Sequence, residues 1–380
     1  MTTKKARILV APLDWGLGHA TRCLPVIHTL IEHNFEVILA ADGRAYELLM
    51  REFPQLDLLR LEGSTIRYPC RGNLMLKILA GVPGLYRGIK TEQRELRKII
   101  KAFNIQAVIS DNRYGLFSDH VFSVFIGHQM MIKLPGWLKW AEWILHRVHI
   151  RFINRFDECW IPDFPGSLNL SGDLSHKYPL PPKYHFAGPL SRFSFPDKLA
   201  LEPGKENSLP LDLLVILSGP EPQRTILEKK LLSQLKSLAY KTVIVRGVTE
   251  KNGEYLVSPH IRVIHHADTR KLQALISSAR RILCRPGYSS IMDLAAAGKK
   301  AMFIPTPGQT EQEYLADYFY QRKLYYYNTQ KDLNLEADLK KISGYNGFSG
   351  GDNTGLLTRR IDHLSGIIEA GIKPHIPTSR

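Results

Sequence analysis

Apolar residues fall into short compact runs separated by stretches of helical periodicity, and this alternation occurs twice along the chain. The run at 7–11 (Arg-Ile-Leu-Val-Ala) reads as a buried strand. Residues 12–18 form a glycine-containing loop. Helical spacing over 19–32 then places Leu24, Ile27, Leu30 and Ile31 on one face, and 35–40 is the next strand. Strand, helix, strand opens a parallel sheet covered by helices. Further strands are predicted at 56–61, 107–110, 121–126, 158–162 and 184–190, with a helical stretch at 74–103 broken near Gly81 to Gly84. Residues 191–210, rich in Pro, Gly, Ser and charge, read as a linker. After it the pattern restarts, with strands at 211–217, 243–247, 261–265, 281–284 and 300–305. Helices are predicted at 270–278 and at 290–297, the latter ended by Gly298. A last amphipathic helix spans 355–370, with Leu356, Ile361, Leu364 and Ile367 apolar.

A chain of 380 residues patterned this way predicts two domains. The expected partition is 1–190, a linker at 191–210, a second domain at 211–352 and a final helical segment at 353–380. No apolar run reaches the ~20 residues of a spanning helix. The first residues lead straight into a strand, so no signal peptide is expected. Cys23, Cys70, Cys159 and Cys284 are scattered without C-x-x-C spacing, which fits a reducing cytosol and neither a zinc site nor a disulfide framework. The net charge of +15 changes the picture most. It implies a polyanionic partner: nucleic acid, an anionic membrane or a phosphorylated substrate.

Candidate chemistry concentrates at strand ends. In 284–294 a strand is followed by Arg285, the turn Pro286-Gly287, and a helix opening with Ser289 and Ser290. Such a helix start aims unpaired N–H groups and the positive end of the dipole at an anion, so a diphosphate is the expected guest. Asp293 lies about one turn further in, where a carboxylate reaches a sugar attached to that phosphate. The turn at 306–313 brings Gln309 and Gln312 to the same rim. The strand-to-helix turn at 218–224, with Ser218, Gly219 and Arg224, is placed to touch the phosphates. In the first domain, Gly16 and Gly18 form a glycine loop with His19 inside it, and Thr21 holds the third glycine's place in G-x-G-x-x-G. That disfavours a dinucleotide, although Asp42 follows the second strand. His19 faces the ligand cleft, the alternative being a helix-start or solvent residue. Asp111, just beyond the 107–110 strand, emerges on the same sheet edge as His19, or else caps a helix. Around 133–156, Trp137, Trp140 and Trp143 interleave with Lys139, His146, Arg147, His149, Arg151 and Arg155. That composition suits an interfacial anchor, or a core-facing helix with a solvated basic edge.

The run from Arg285 to Ala316 resembles the donor-binding half of the GT-B glycosyltransferases of family 28. Among these are enzymes adding N-acetylglucosamine to lipid-linked peptidoglycan precursor. Their motif is R-S-G-x-x-T-x-x-E, an apolar strand, then P-x-x-x-x-x-x-Q. Arg285, Gly287, Asp293, Pro305 and Gln312 fall on matching positions, with Asp293 for the family's Glu and Ala316 for its usual Asn. The loop Gly16-x-Gly18-His19-x-x-Arg22-Cys23-Leu24 is similar to the first loop of GT-B sugar enzymes. It is also similar to G-x-G-H-x-x-R-C-L in hydrolases of nucleotide-activated amino sugars in the pseudaminic acid pathway. The resemblance implies a GT-B fold of class α/β: two Rossmann-like domains with parallel sheets facing across a cleft, the last helix crossing back to the first domain. It implies inverting transfer from a nucleotide-diphosphate sugar, UDP-linked by preference, to an unidentified acceptor, with a lipid-linked one as a candidate. His19 would be general base oriented by Asp111, and Arg285 with the Ser289/Ser290 helix start would stabilise the leaving diphosphate. The alternative is a hydrolase in which His19 activates water. The nucleotide-sugar is a co-substrate and no cofactor is expected. The sequence holds no D-x-D, so no GT-A-type metal is expected, and no RRM, helix-turn-helix or zinc signature, so no nucleic-acid partner is expected. The expected location is cytoplasmic, with peripheral attachment at the anionic inner face of the membrane.

Overall fold

Two seven-stranded sheets carry the chain. The computed structural model describes residues 5–62, 74–194, 210–249, 253–348 and 355–371. The arginine-bearing loop at 67–71 and linker residues 195–209 lie outside these.

The first domain contains β1 (Arg7–Pro12), α1 (Leu17–Glu32), β2 (Glu36–Ala41), α2 (Gly43–Glu52), β3 (Leu58–Arg60), α3 (Leu74–Phe103) and β4 (Ala107–Asp111). It continues through β5 (Phe122–Ile126), α4 (Glu142–Ile153), β6 (Glu158–Ile161), α5 (Asp173–His176) and β7 (Tyr184–Phe186). Its strands are all parallel, in the order β3-β2-β1-β4-β5-β6-β7. The continuous apolar runs of β1, β4 and β5 follow from this: helices cover both faces, so alternation is lost. Ile8, Leu9, Val10 and Ala11 are all fully buried.

The second domain runs through β8 (Leu213–Ile216), α6 (Gln223–Leu235), β9 (Thr242–Val245), β10 (Glu254–Ser258), β11 (Ile261–Ile264), α7 (Thr269–Ser278) and β12 (Ile282–Cys284). Then come α8 (Tyr288–Ala296), β13 (Met302–Phe303), α9 (Thr310–Gln321), β14 (Tyr326–Tyr327) and α10 (Leu335–Lys341). The order is β10-β11-β9-β8-β12-β13-β14, parallel except for the edge strand β10. The last helix, α11 (Leu356–Glu369), packs on α1 of the first domain. There His33 Nε2 lies 3.0 Å from Asp362 and His363 Nε2 lies 3.1 Å from Glu158.

These are the two Rossmann-like domains of a GT-B fold. In each sheet the chain first builds outward to one side and then returns to build the other. The switch points lie between β1 and β4 and between β8 and β12. Loops leaving adjacent strands there part in opposite directions and leave a crevice at the carboxyl edge.

Three expectations need correction. The helix at 74–103 is unbroken, the strong helix formers of 90–102 carrying it on despite Gly81, Pro83 and Gly84. The Trp-rich stretch is a 3₁₀ turn at Gly136–Ala141 followed by α4, with Pro135 setting the start. Strands β10 and β14 went unforeseen: β10 is an exposed edge hairpin with no buried face to pattern it, and β14 has only two residues.

Candidate active site

The register of β1 against β4 pairs Pro12 with Asp111, so the loop into α1 and the Asp111 carboxylate leave the sheet side by side. Gly16 takes φ 94°, a left-handed value that lets the chain turn sharply into α1, and no side chain caps the first turn. His19 sits in that turn with 15% of its side chain exposed, and its Nδ1 lies 2.7 Å from Asp111 Oδ1. Asp111 is fully buried. Arg22, one turn below His19, donates from Nε to Oδ2 and from Nη2 to Oδ1. Arg22 Nη2 also approaches His19 Nδ1 to 2.9 Å. A carboxylate only accepts, so the Nδ1 that lies 2.7 Å from Asp111 carries the proton and donates to it, and Nε2 has no partner among the described residues. Burial alone would raise the Asp111 carboxyl, but Arg22 and His19 hold it below the usual carboxylate range. The sequence expectation of His19 and Asp111 on one edge is therefore met in the geometry. Asp111 is no helix cap; it is the anion of a buried pair.

The second domain closes over this loop. Gly287 precedes α8 in an extended conformation with no side-chain cap, and Ser289 and Ser290 are half-buried in its first turn. A Cβ placed on Gly18 would lie 2.8 Å from Ser289 Oγ, so two helix starts converge there. Both present unpaired N–H groups and positive dipole ends to the same space, a setting for a diphosphate. Gly219, in the turn after β8, has φ 99°, and a Cβ there would stand 3.4 Å from Thr306 Oγ1. That hydroxyl is buried and has no partner among the described residues. Ser218 is half-buried in the same turn, and Gln309 is exposed at the start of α9.

Four expected donor contacts are placed otherwise. Arg285, 1% exposed, turns inward: Nη1 donates to the carbonyls of Ile304 and Pro305, and Nη2 donates to Gln223 O and Gln330 Oε1. It braces the three loops around the switch point, and its Nε is buried without a partner. Asp293 accepts from Ser191 Oγ at 2.8 Å and Arg192 Nε at 2.9 Å, so the expected ribose carboxylate ties the end of the first domain to α8. Gln312 Oε1 accepts from the Thr306 backbone N–H at 2.8 Å and shapes the turn. Arg224 is engaged with Glu221 of its own loop. All four are short-range demands of buried or crowded polar groups, which motif spacing does not report.

Sequence reasoning missed a second cluster. His128 follows β5, and its Nδ1 accepts from Arg22 Nη1 at 2.9 Å. Its Nε2–H therefore points to Glu311 Oε1 at 2.8 Å, and Gln129 Nε2 donates to the other oxygen of Glu311. The imidazole stacks on Tyr288 with centroids 4.0 Å apart. Burial lowers the His128 pKa and keeps the ring neutral. Burial opposes the Glu311 charge, but His128 and Arg22 hold that carboxyl below its usual range. The available signal was the position of Gly127-His128-Gln129 at a strand's carboxyl end. Among the described residues no group of three or more His, Cys, Asp or Glu is placed to hold a metal ion.

The fold that these two sheets and the crevice between them define is GT-B. Residues 222–344 match the glycosyltransferase family 28 C-terminal domain. An uncharacterized glycosyltransferase of Methanosarcina acetivorans is 23% identical over 341 residues, covering 81% of each chain. The crystal structure of MurG from Acinetobacter baumannii has a TM-score of 0.52 at 15% identity, covering 97% of this chain and 100% of that one. Arabidopsis thaliana UGT89C1 complexed with UDP-L-rhamnose has a TM-score of 0.56 at 12% identity, covering 97% and 96%.

Proposed function

We propose that the protein transfers a sugar from a UDP-linked donor to an acceptor hydroxyl with inversion. The observation that carries this reading is the His19–Asp111 pair, with Nε2 free, at the point where the starts of α1 and α8 converge. The acceptor oxygen attacks the anomeric carbon as the bond to the diphosphate breaks. The acceptor proton passes to His19 Nε2, and UDP leaves against the N–H groups of α8 and the Thr306 hydroxyl. The UDP-L-rhamnose bound by a protein of the same fold supports the choice of nucleotide. A thermal-shift screen of UDP, UDP-sugars and other nucleotides tests it: UDP should raise the melting temperature, by about 2.7 kcal/mol of stability at a hundredfold excess over Kd. Stabilisation by no nucleotide would sink the reading. Sugar released equally fast without acceptor would replace transfer by hydrolysis.

The acceptor is proposed to be lipid-linked and met at an anionic membrane surface. Trp137, Trp140 and Trp143 are 64%, 61% and 50% exposed. Ile144 and Val148 extend this apolar face, Lys139, Arg147 and Arg151 flank it, and Leu138 and Ala141 are buried beneath it with Leu134. Exposed tryptophans beside cations suit the headgroup region, and each nearby cation adds roughly 1 kcal/mol of attraction. No described helix is long and apolar enough to cross a membrane. Flotation with anionic vesicles should show binding that weakens as salt rises. Replacing the three tryptophans with Ala should abolish it without lowering the melting temperature. A triple variant that floats like the wild type would remove the anchor.

A further inference from the structure

We propose that Glu311 and His128 are positioning residues for His19, linking the second domain's position to the general base through Arg22. The inference rests on the reading of His19 as base. Four groups stand in a line of alternating roles. Asp111 accepts from His19 and Arg22; Arg22 donates to His128; His128 donates to Glu311. The first three groups belong to the first domain and Glu311 to α9 of the second. Arg22 is 3% and His128 8% exposed, so the chain of bonds is shielded from water, where such bonds couple most strongly. Each partner has one workable arrangement. Arg22 has donors only, so His128 Nδ1 must accept, and its single N–H must then face Glu311. Gln129 and the stacked ring of Tyr288 fix the two ends.

The consequence is a base completed by both domains. With the domains together, Glu311 adds a second anion to a cluster whose cation is Arg22, and the imidazole of His19 is held on Asp111. When the domains part, Glu311 leaves, and Arg22 keeps Asp111 as its one anion within this chain of bonds. The charged and titratable groups around His19 are then Asp111, Arg22, His128 and Glu311, with Tyr288 and Cys23 kept neutral by burial. Removing the Glu311 charge frees His128 and, through it, Arg22, so the hold on the His19 imidazole at Asp111 loosens.

The Nδ1–H proton resonance of His19 in the full chain tests this without a substrate. Glu311→Gln should shift that resonance away from its wild-type, Asp111-bonded position. Glu311→Asp should bring it most of the way back, and Glu313→Gln, on the exposed face of the same helix, should leave it alone. His128→Asn keeps an acceptor for Arg22 but cannot reach Glu311, and should act in the same direction should Glu311→Gln fail to fold. An unchanged Nδ1–H resonance in the folded variants overturns the proposal. In turnover, Glu311→Gln should lower kcat on the order of tenfold with the donor KM nearly unchanged. A shifted resonance with no turnover of any UDP-sugar leaves the relay standing and removes the transfer reading; normal turnover with an unmoved resonance does the reverse.

Discussion

His19→Ala is expected to lower turnover about 10²–10⁴-fold while UDP binding and melting temperature stay close to wild type. The side chain contributes one bond to the fold, to Asp111, and Asp111 keeps its two bonds from Arg22 when the ring is gone. No buried charge is stranded, so the loss falls on the chemical step. Asp111→Asn is different. Its carboxylate is the anion beneath Arg22, and an amide there leaves a buried guanidinium without its closest counter-charge. Breaking a buried pair costs on the order of 3–5 kcal/mol, so this variant should lose stability as well as rate. Comparing melting temperatures of the two variants therefore separates catalysis from structure. Wild-type turnover in a folded His19→Ala protein, with a verified donor and acceptor, would mean that the residue only decorates the loop.

Arg285→Met is expected to destabilise the second domain by on the order of 3 kcal/mol or more, and to weaken UDP binding as a consequence. Two effects oppose each other. Burial lowers the Arg285 pKa to about 10, and no carboxylate compensates it; relieving that burden returns about 3 kcal/mol. Against this, four acceptors lose their donors: Ile304 O, Pro305 O, Gln223 O and Gln330 Oε1. Each buried unsatisfied group costs about 1–3 kcal/mol, so the loss outweighs the relief. The folded-state pKa lies below the unfolded one, so the charged side chain is tolerated at a cost below pH 10 and the wild type gains relative stability above it. Denaturant unfolding of both proteins at pH 7 checks the magnitude. Equal stability would return Arg285 to the role of a phosphate ligand with little structural work.

Much of the architecture was legible because it depends on local patterning. Compact apolar runs such as 7–11 and 107–110 mark strands buried on both faces. The carboxyl-edge rule then placed His19 and Asp111 together, and the structure holds them 2.7 Å apart. The same rule located the helix start at Ser289 and Ser290. What the sequence determined was which strand ends lie together at the carboxyl edge, since strand direction follows from the alternation of strand and helix.

Which way each side chain turns at those ends was decided only in three dimensions. Arg285 and Asp293 occupy motif positions, yet Arg285 faces carbonyls of neighbouring loops and Asp293 faces Ser191 and Arg192. Those partners lie 20 and about a hundred residues away, and their demand for hydrogen bonds leaves no trace in local spacing. The contact between His128 and Glu311 spans 183 residues and exists because two domains meet. The outward turn of Trp137, Trp140 and Trp143 was likewise a tertiary result: Leu138 and Ala141 fill the space beneath that element, and the larger rings are left in solvent. Sequence pattern reports what a residue needs from its neighbours in the chain; packing between elements far apart in the chain decides which of those needs is met by protein and which is left for a ligand.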